Sequence, residues 1–284
     1  MSAADVAASP AVPTATALLP ERRGLAAIGR GLGAQADVIW AIILRETRTR
    51  FGGNQLGYLW AMLEPTIVIF TFYWFYKAVG RAHPAGMDMF SFIATGVLPY
   101  TLFTNSVVRV AEAINGNKAL LYYPQVRPID LVIARALLEA ATFIAVFIVL
   151  MGGHALIKQT LIIDDVLTVM AGMLLAAALG TALGLIFCGL GQLSPLADRA
   201  RGPLMRPLFW ISGIFFTADS LPEGARNAML KNPILHTTEL VRDGWFESYR
   251  DDHVSIPYVL AWVFGLLLVG LLLERAVRRR IEMS

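Results

Sequence analysis

Arg45–Pro65 reads RETRTRFGGNQLGYLWAMLEP, and along it the chain changes solvent. Arg45, Arg48 and Arg50 supply the positive charge that marks the cytoplasmic side of a membrane. Gly52, Gly53 and Gly57 loosen the backbone as a sharp turn requires. Tyr58 and Trp60 are amphipathic rings suited to headgroup depth. Beyond them Thr66–Gly80, TIVIFTFYWFYKAVG, is nearly all apolar or aromatic. Glu64 stands just inside that boundary, where an unpartnered carboxylate is costly, so it is a candidate gating residue. Glu64 followed by Pro65 is equally the chemistry that opens a helix's first turn.

Upstream, Ala34–Arg50 has helical periodicity. Val38, Ile39, Ile42 and Ile43 fall on one face, and Gln35, Asp37, Arg45, Glu46 and Arg48 largely on the other. The apolar run is too short to span, so an amphipathic helix lying in the interface is expected. Residues 1–33 open on an Ala/Pro/Ser/Thr-rich tract and are expected to be a disordered cytoplasmic segment. No cleavable signal is expected, because no Lys or Arg precedes Arg22.

Downstream, six apolar blocks occupy Leu59–Gly80, Phe90–Ala113, Ile129–Ile157, Val166–Leu190, Leu204–Ala218 and Ile256–Leu273. Most reach the roughly 20 residues a bilayer requires. The fifth is short, with Pro203 and Pro207 near its start, so it begins earlier or is kinked. Of 284 residues 56% are apolar and only 16% charged, and mean hydropathy is +0.60. Soluble domains carry about 25% charged residues. The fold class expected is therefore an all-α integral membrane protein. Arginines gather in the N-terminal region, at Arg127, at Arg199, Arg201 and Arg206, and in the tail at Arg275 and Arg278–Arg280. With six spans, both termini then lie on the cytoplasmic side. The transmembrane domain is 51–275 and the basic cytoplasmic tail 276–284.

Asp219–Ser255 falls outside. Leu221–Leu230 opens with helix-start chemistry, Asn232-Pro233 breaks it, and Ile234–Tyr249 resumes as a second short helix. The expected form is a re-entrant hairpin on the outer side, between the fifth and sixth spans, tolerated at membrane depth only where protein or a wet cavity receives the backbone. His236, Glu239 and Arg242 recur every three residues along it. They read either as a polar cluster for a hydroxyl-rich or anionic solute, or as a Glu239–Arg242 pair that props the hairpin.

No phosphate loop, H-E-x-x-H, C-x-x-C or G-x-S-x-G occurs. The chain is expected to bind no cofactor or metal, and His83, His154, His236 and His253 are scattered in sequence. The lone Cys188 excludes an intrachain disulfide, and no basic patch suggests nucleic acid. Asp164-Asp165 and Asp251-Asp252 read as solvated loop acids. Aromatic rings crowd the first span, including Tyr73 and Trp74, and the fifth, including Trp210 and Phe215. Such rings stack on the C–H faces of sugars, and they also fill helix packing and interfacial belts. Asn105, Arg109 and Glu112 share one face of the second span, where an Arg109–Glu112 pair would gate, bind or brace. Asn115–Pro128, NGNKALLYYPQVRP, is short and not apolar enough to span, and suits docking to a cytoplasmic partner.

These stretches resemble one family. GYLWAMLEP at Gly57–Pro65, NKALLYYPQVRP at Asn117–Pro128 and LKNPILHTTELVRDGWF at Leu230–Phe246 are similar to segments of ABC-2 type ABC transporter permeases that export capsular polysaccharide and O-antigen. The resemblance covers nearly everything from Ala34 onward. It implies the ABC-2, or type V exporter, fold: an interface helix, six transmembrane helices and the re-entrant hairpin. It implies a homodimer in the bacterial inner membrane with two copies of a cytoplasmic ABC ATPase, which holds ATP and Mg. The cargo implied is a lipid-linked polysaccharide, capsule before O-antigen or teichoic acid, with a periplasmic co-polymerase or adaptor as a further partner. Within that frame, Tyr58, Trp60, Tyr73, Trp74, Asn105, Arg109, Trp210 and Phe215 are expected along the substrate channel. Glu64, Glu112, His236, Glu239 and Arg242 are expected in gating or structural polar pairs, and Lys118, Tyr122, Tyr123, Pro124 and Arg127 at the ATPase contact. A membrane glycan-processing enzyme and an exporter of drugs or small lipids are the rival classes.

Overall fold

The computed structural model describes residues 25–51, 56–80, 86–159 and 163–282. The chain divides into two compact units, Met1–Asp37 and Val38–Ser284. Of the first, the described part is the opening of a helix. The second holds everything that follows.

The described residues form helices and turns, with no strand among them. The helices are α1 Leu25–Phe51, α2 Leu56–Val79, α3 Met89–Ala111, α4 Pro128–Lys158, α5 Val166–Leu193, α6 Pro195–Ile211, α7 Glu223–Met229, α8 Pro233–Trp245 and α9 Ile256–Glu282. A 3-10 segment, Asn115–Tyr122, joins α3 to α4. Helix starts follow the local chemistry of the sequence. Asp165 accepts from the Leu167 amide at 2.9 Å to open α5. Ser194 and Asn232 cap α6 and α8, each followed by a proline whose missing N–H costs nothing at that position.

Several boundaries differ from the sequence reading. α6 occupies Pro195–Ile211, earlier than the expected block Leu204–Ala218. α1 starts at Leu25, so the end of the stretch expected to be disordered is helical, as the Leu25-Ala26-Ala27-Ile28 run of helix formers permits. α9 continues to Glu282, so the basic tail is also helical. α2 starts at Leu56, which puts Pro65 inside the helix; Glu64 and Pro65 are therefore not its first turn.

α3 is the central post. Ile93, Ala94, Val97, Leu98, Leu102, Val107 and Val110 are fully buried among α2, α4, α5 and α8. Gly180 of α5 lies against α3 so closely that a Cβ there would meet Ser106 Cβ at 2.7 Å, and small residues are how apolar helices approach. Side-chain contacts fix the directions. The late residues of α2 meet the early residues of α3, as Phe70 meets Phe90. The late part of α4 meets the start of α3 through His154 and Asp88. The late part of α9 meets the late part of α5, and the start of α9 meets α8. α2, α4 and α6 thus run one way, and α3, α5 and α9 the other. α3, α4, α5 and α9 are long and apolar enough to cross a membrane. α6 has 17 residues and carries Asp198, Arg199, Arg201 and Arg206; α2 is diluted by Glu64, Lys77 and its Tyr and Trp rings.

Candidate functional site

Polar chemistry gathers at the two ends of the bundle, with an aromatic cluster between them. At the end where α3 finishes and α4 begins, Asn117 is buried and organises the 3-10 segment. Its Oδ1 accepts from Arg45 Nη1 at 2.8 Å, and its amide nitrogen donates to Glu46 Oε1 at 2.8 Å. Arg135 Nε donates to the same Glu46 oxygen at 2.8 Å and, through Nη1, to the Arg109 carbonyl at 2.9 Å. Burial works against the Glu46 carboxylate. The Asn117 and Arg135 hydrogen bonds, with the Arg135 and Arg45 charges, outweigh that and hold it below the usual carboxylate range. Gln192 donates to Asn115 Oδ1 at 2.8 Å, which ties in the end of α5.

What this frame presents outward is Lys118, Tyr122, Tyr123 and Pro124, all exposed, Tyr122 at 89%. Beside them a cavity of about 470 Å³ is lined by Leu121, Tyr123, Arg127, Gln192, Glu274 and Val277. Glu112 does not pair with Arg109 as the helix spacing suggested. It accepts from Arg201 Nη2 of α6 at 3.1 Å, because α6 starts early enough to bring that arginine alongside. Glu139 of α4 is buried and takes Arg50 at 2.6 Å, a pair the sequence reading missed because the partners are 89 residues apart.

At the opposite end α8 is the most buried helix of the hairpin. Glu239 and Arg242 have no exposed surface. Arg242 Nη1 donates to Glu239 Oε1 at 3.0 Å and to the Phe216 carbonyl at 2.8 Å, and Nη2 donates to the Ile214 carbonyl at 3.2 Å. Its guanidinium lies 4.2 Å from the centre of the Phe92 ring. Tyr249 donates to the other Glu239 oxygen. Gly213 adopts φ +74 beside this group, and a Cβ there would press on Leu235. His236 accepts from the Ser255 amide at Nδ1, so its Nε2 donates to the Leu230 carbonyl at 2.8 Å. Asp164, Asp165, Asp243 and Arg250 join the surrounding loops, with Arg250–Asp164 at 2.7 Å. The fold also brings His253 to Asp219 and Asp251, within 4.8 Å of one another, although His253 looked isolated in sequence. His253 Nε2 lies 3.3 Å from Asp219 Oδ1, an ordinary loop contact, and we assign it no metal.

Between the ends, Phe72 packs 4.6 Å from Phe215, with Tyr76, Phe209 and Trp210 around them. Phe215, expected on a channel wall, is instead 9% exposed at the centre of this cluster. Tyr73 is half-buried, edge-on to Trp74. Trp60, Trp74 and Trp210 are exposed, as is Glu64. Asn105 is half-buried on α3 and Arg109 is exposed nearer its end. The Tyr58 side chain lies outside the described ones.

The sequence matches the family described as ABC-2 type transporter over residues 37–246. It is 33% identical to the polysialic acid transport protein KpsM of Escherichia coli, over 86% of this chain and 95% of that one. It is 31% identical to the capsule polysaccharide export inner-membrane protein BexB of Haemophilus influenzae, over 89% and 96%. To the capsule polysaccharide export inner-membrane protein CtrC of Neisseria meningitidis serogroup B it is 29% identical, over 88% and 95%.

Proposed function

The chain belongs to the ABC-2 type transporter family, and from that premise we propose that it is the membrane permease of an ATP-driven exporter for a lipid-linked capsule polysaccharide. Relatives matched over nearly their whole length are named for capsule polysaccharide export, and another for polysialic acid transport, which favours capsule over O-antigen or teichoic acid. In this reading α2–α6 and α9 make six passes through the bacterial inner membrane, and both termini lie in the cytoplasm. The alternating helix directions and the arginines at one end support it. α7 and α8 form the re-entrant periplasmic hairpin: α8 is buried, as backbone at that depth must be, and α7 carries no buried residue and faces outward.

The observation that carries the proposal is the rigid presentation of Tyr122 and Tyr123 on a segment anchored by buried Asn117. With no phosphate loop in the chain, energy has to arrive by contact, and exposed aromatic anchors on a fixed frame suit that. Two ATPase subunits would dock there, holding ATP and Mg themselves. Two copies of the permease would face each other across α2 and α6, whose exposed Trp74 and Trp210 offer stacking surfaces to sugar rings. The outer hairpin would meet the periplasmic co-polymerase or adaptor.

The test is purification of the full chain from its native membrane, followed by reconstitution in proteoliposomes. The expected result is co-purification of an ABC ATPase and a glycolipid, and ATP-dependent glycolipid translocation that stops in the Tyr122→Ala/Tyr123→Ala variant. Chemical change of the glycolipid by the chain alone would favour the membrane-enzyme reading instead.

A further inference from the structure

Where α1, α3 and α4 converge there is a cleft of about 210 Å³ that the export reading leaves unused. It is lined by Glu46, Arg50, Arg109, Arg135, Leu138 and Glu139. Its carboxylates are already committed. Glu139 holds Arg50 at 2.6 Å, and Glu46 takes Arg135 and Asn117. Arg109 is exposed, lines the cleft, and its guanidinium makes no hydrogen bond or ion pair to a described residue. With Arg45 also beside Glu46, the cleft keeps a surplus of positive charge, concentrated at Arg109.

Depth narrows what would neutralise it. α4 has 31 residues, so at about 1.5 Å per residue it is about 46 Å long and overhangs a hydrocarbon core of about 30 Å at both ends. Arg135 is the eighth residue of α4, which places the cleft near the level of the inner-leaflet headgroups. From Leu138, which lines the cleft, an apolar stripe runs down the same face of α4, with Ala145 and Val149 exposed along it. A basic notch at headgroup depth above an apolar track is complementary to an amphiphile, not to a free anion. Guanidinium groups favour phosphate oxygens because their planar N–H groups match them pairwise.

We propose that this cleft binds the phosphate of an anionic inner-leaflet phospholipid, with Arg109 as its principal ligand and Arg135 and Arg50 flanking it. The bound phosphate would link α1 to α3 and α4. The proposal requires only that the chain sits in a membrane, so it stands or falls separately from the cargo.

The full chain is delipidated in detergent, and bound lipid is counted by native mass spectrometry after titration with phosphatidylglycerol, phosphatidylcholine or inorganic phosphate. Wild type should retain phosphatidylglycerol about tenfold more tightly than phosphatidylcholine, as expected for one charge-assisted contact. Arg109→Gln should remove that preference, and Arg109→Lys should restore part of it. Arg48→Gln, which removes an exposed arginine not lining the cleft, should leave it intact. An unchanged preference in Arg109→Gln, or equal losses in Arg109→Gln and Arg48→Gln, would overturn the site. Displacement of the lipid by millimolar inorganic phosphate would show a free-anion site and would equally overturn it.

Discussion

Glu239 and Arg242 face each other across one turn of α8 at 3.0 Å, and neither has any surface in contact with solvent. The pair does more than cancel charge. Arg242 also serves the carbonyls of Phe216 and Ile214, which lie in the bend after α6, so it fixes that bend to the hairpin. Removing Glu239 would leave the guanidinium buried without its counter-charge, at a cost of about 3–5 kcal/mol. Glu239→Ala should therefore lower the thermal midpoint of the purified protein strongly and reduce its yield in membranes. A pair that only neutralised itself would tolerate a charge swap. Here a glutamate at 242 would face carbonyl oxygens, so Glu239→Arg/Arg242→Glu should be as damaging as the single change. A swap variant that unfolds with wild-type stability would refute this.

The Glu46 lock at the other end should show in acid. Its carboxyl is held below the ordinary value of 4.5, so the folded state binds that proton less readily than the unfolded chain. The stabilisation is complete above about pH 4.5 and is lost as pH falls through the lowered folded value. Glu46→Gln should thus unfold at a lower temperature than wild type by a constant margin from pH 8 to pH 5. The margin should shrink below that range. A margin that persists undiminished into strong acid would mean that Glu46 contributes through packing and not through charge.

Helix existence and order were legible in the sequence because the apolar runs are long and their starts carry polar–proline caps such as Asn232-Pro233. The end of the 3-10 segment and the break between α7 and α8 were legible for the same reason. Two kinds of feature were not. Pro65 invites a helix start, yet its missing donor is tolerated within an apolar helix, and α2 begins earlier. Partners distant along the chain leave no periodic trace: Arg135 meets Glu46 across 89 residues, and Asn117 meets it across 71. For the same reason Arg109 pointed to its helix neighbour Glu112, while the fold gives Glu112 to Arg201.

Topology is open to direct measurement because Cys188, the only cysteine, is buried and should give little background. Cysteines at Lys118 and Glu223, both exposed, should react with a membrane-impermeant maleimide from opposite sides: Lys118→Cys only from the cytoplasm and Glu223→Cys only from outside. Reaction of both from one side would break the six-pass arrangement.

The aromatic rings of α2 and α6 divide into two sets that should respond differently to alanine. Phe72 and Phe215 pack at 4.6 Å inside the cluster, and Phe215 is 9% exposed. Emptying that position removes buried area and leaves a cavity, so Phe215→Ala should cost about 3–5 kcal/mol of stability. Trp74 and Trp210 are 59% and 61% exposed, and their loss should leave the single chain's stability nearly intact. If these rings line a sugar path between two copies, each contributes about 1–3 kcal/mol of stacking, by analogy with bases on aromatic side chains. Stacking spread over several rings makes single changes mild and combined ones severe. Trp74→Ala/Trp210→Ala should therefore keep a wild-type melting curve while slowing glycolipid translocation in proteoliposomes well beyond either single variant. Half-buried Tyr73, added as a third change, should slow it further. Wild-type translocation in the triple variant would take these rings out of the path and leave them as lipid-facing or dimer-packing groups.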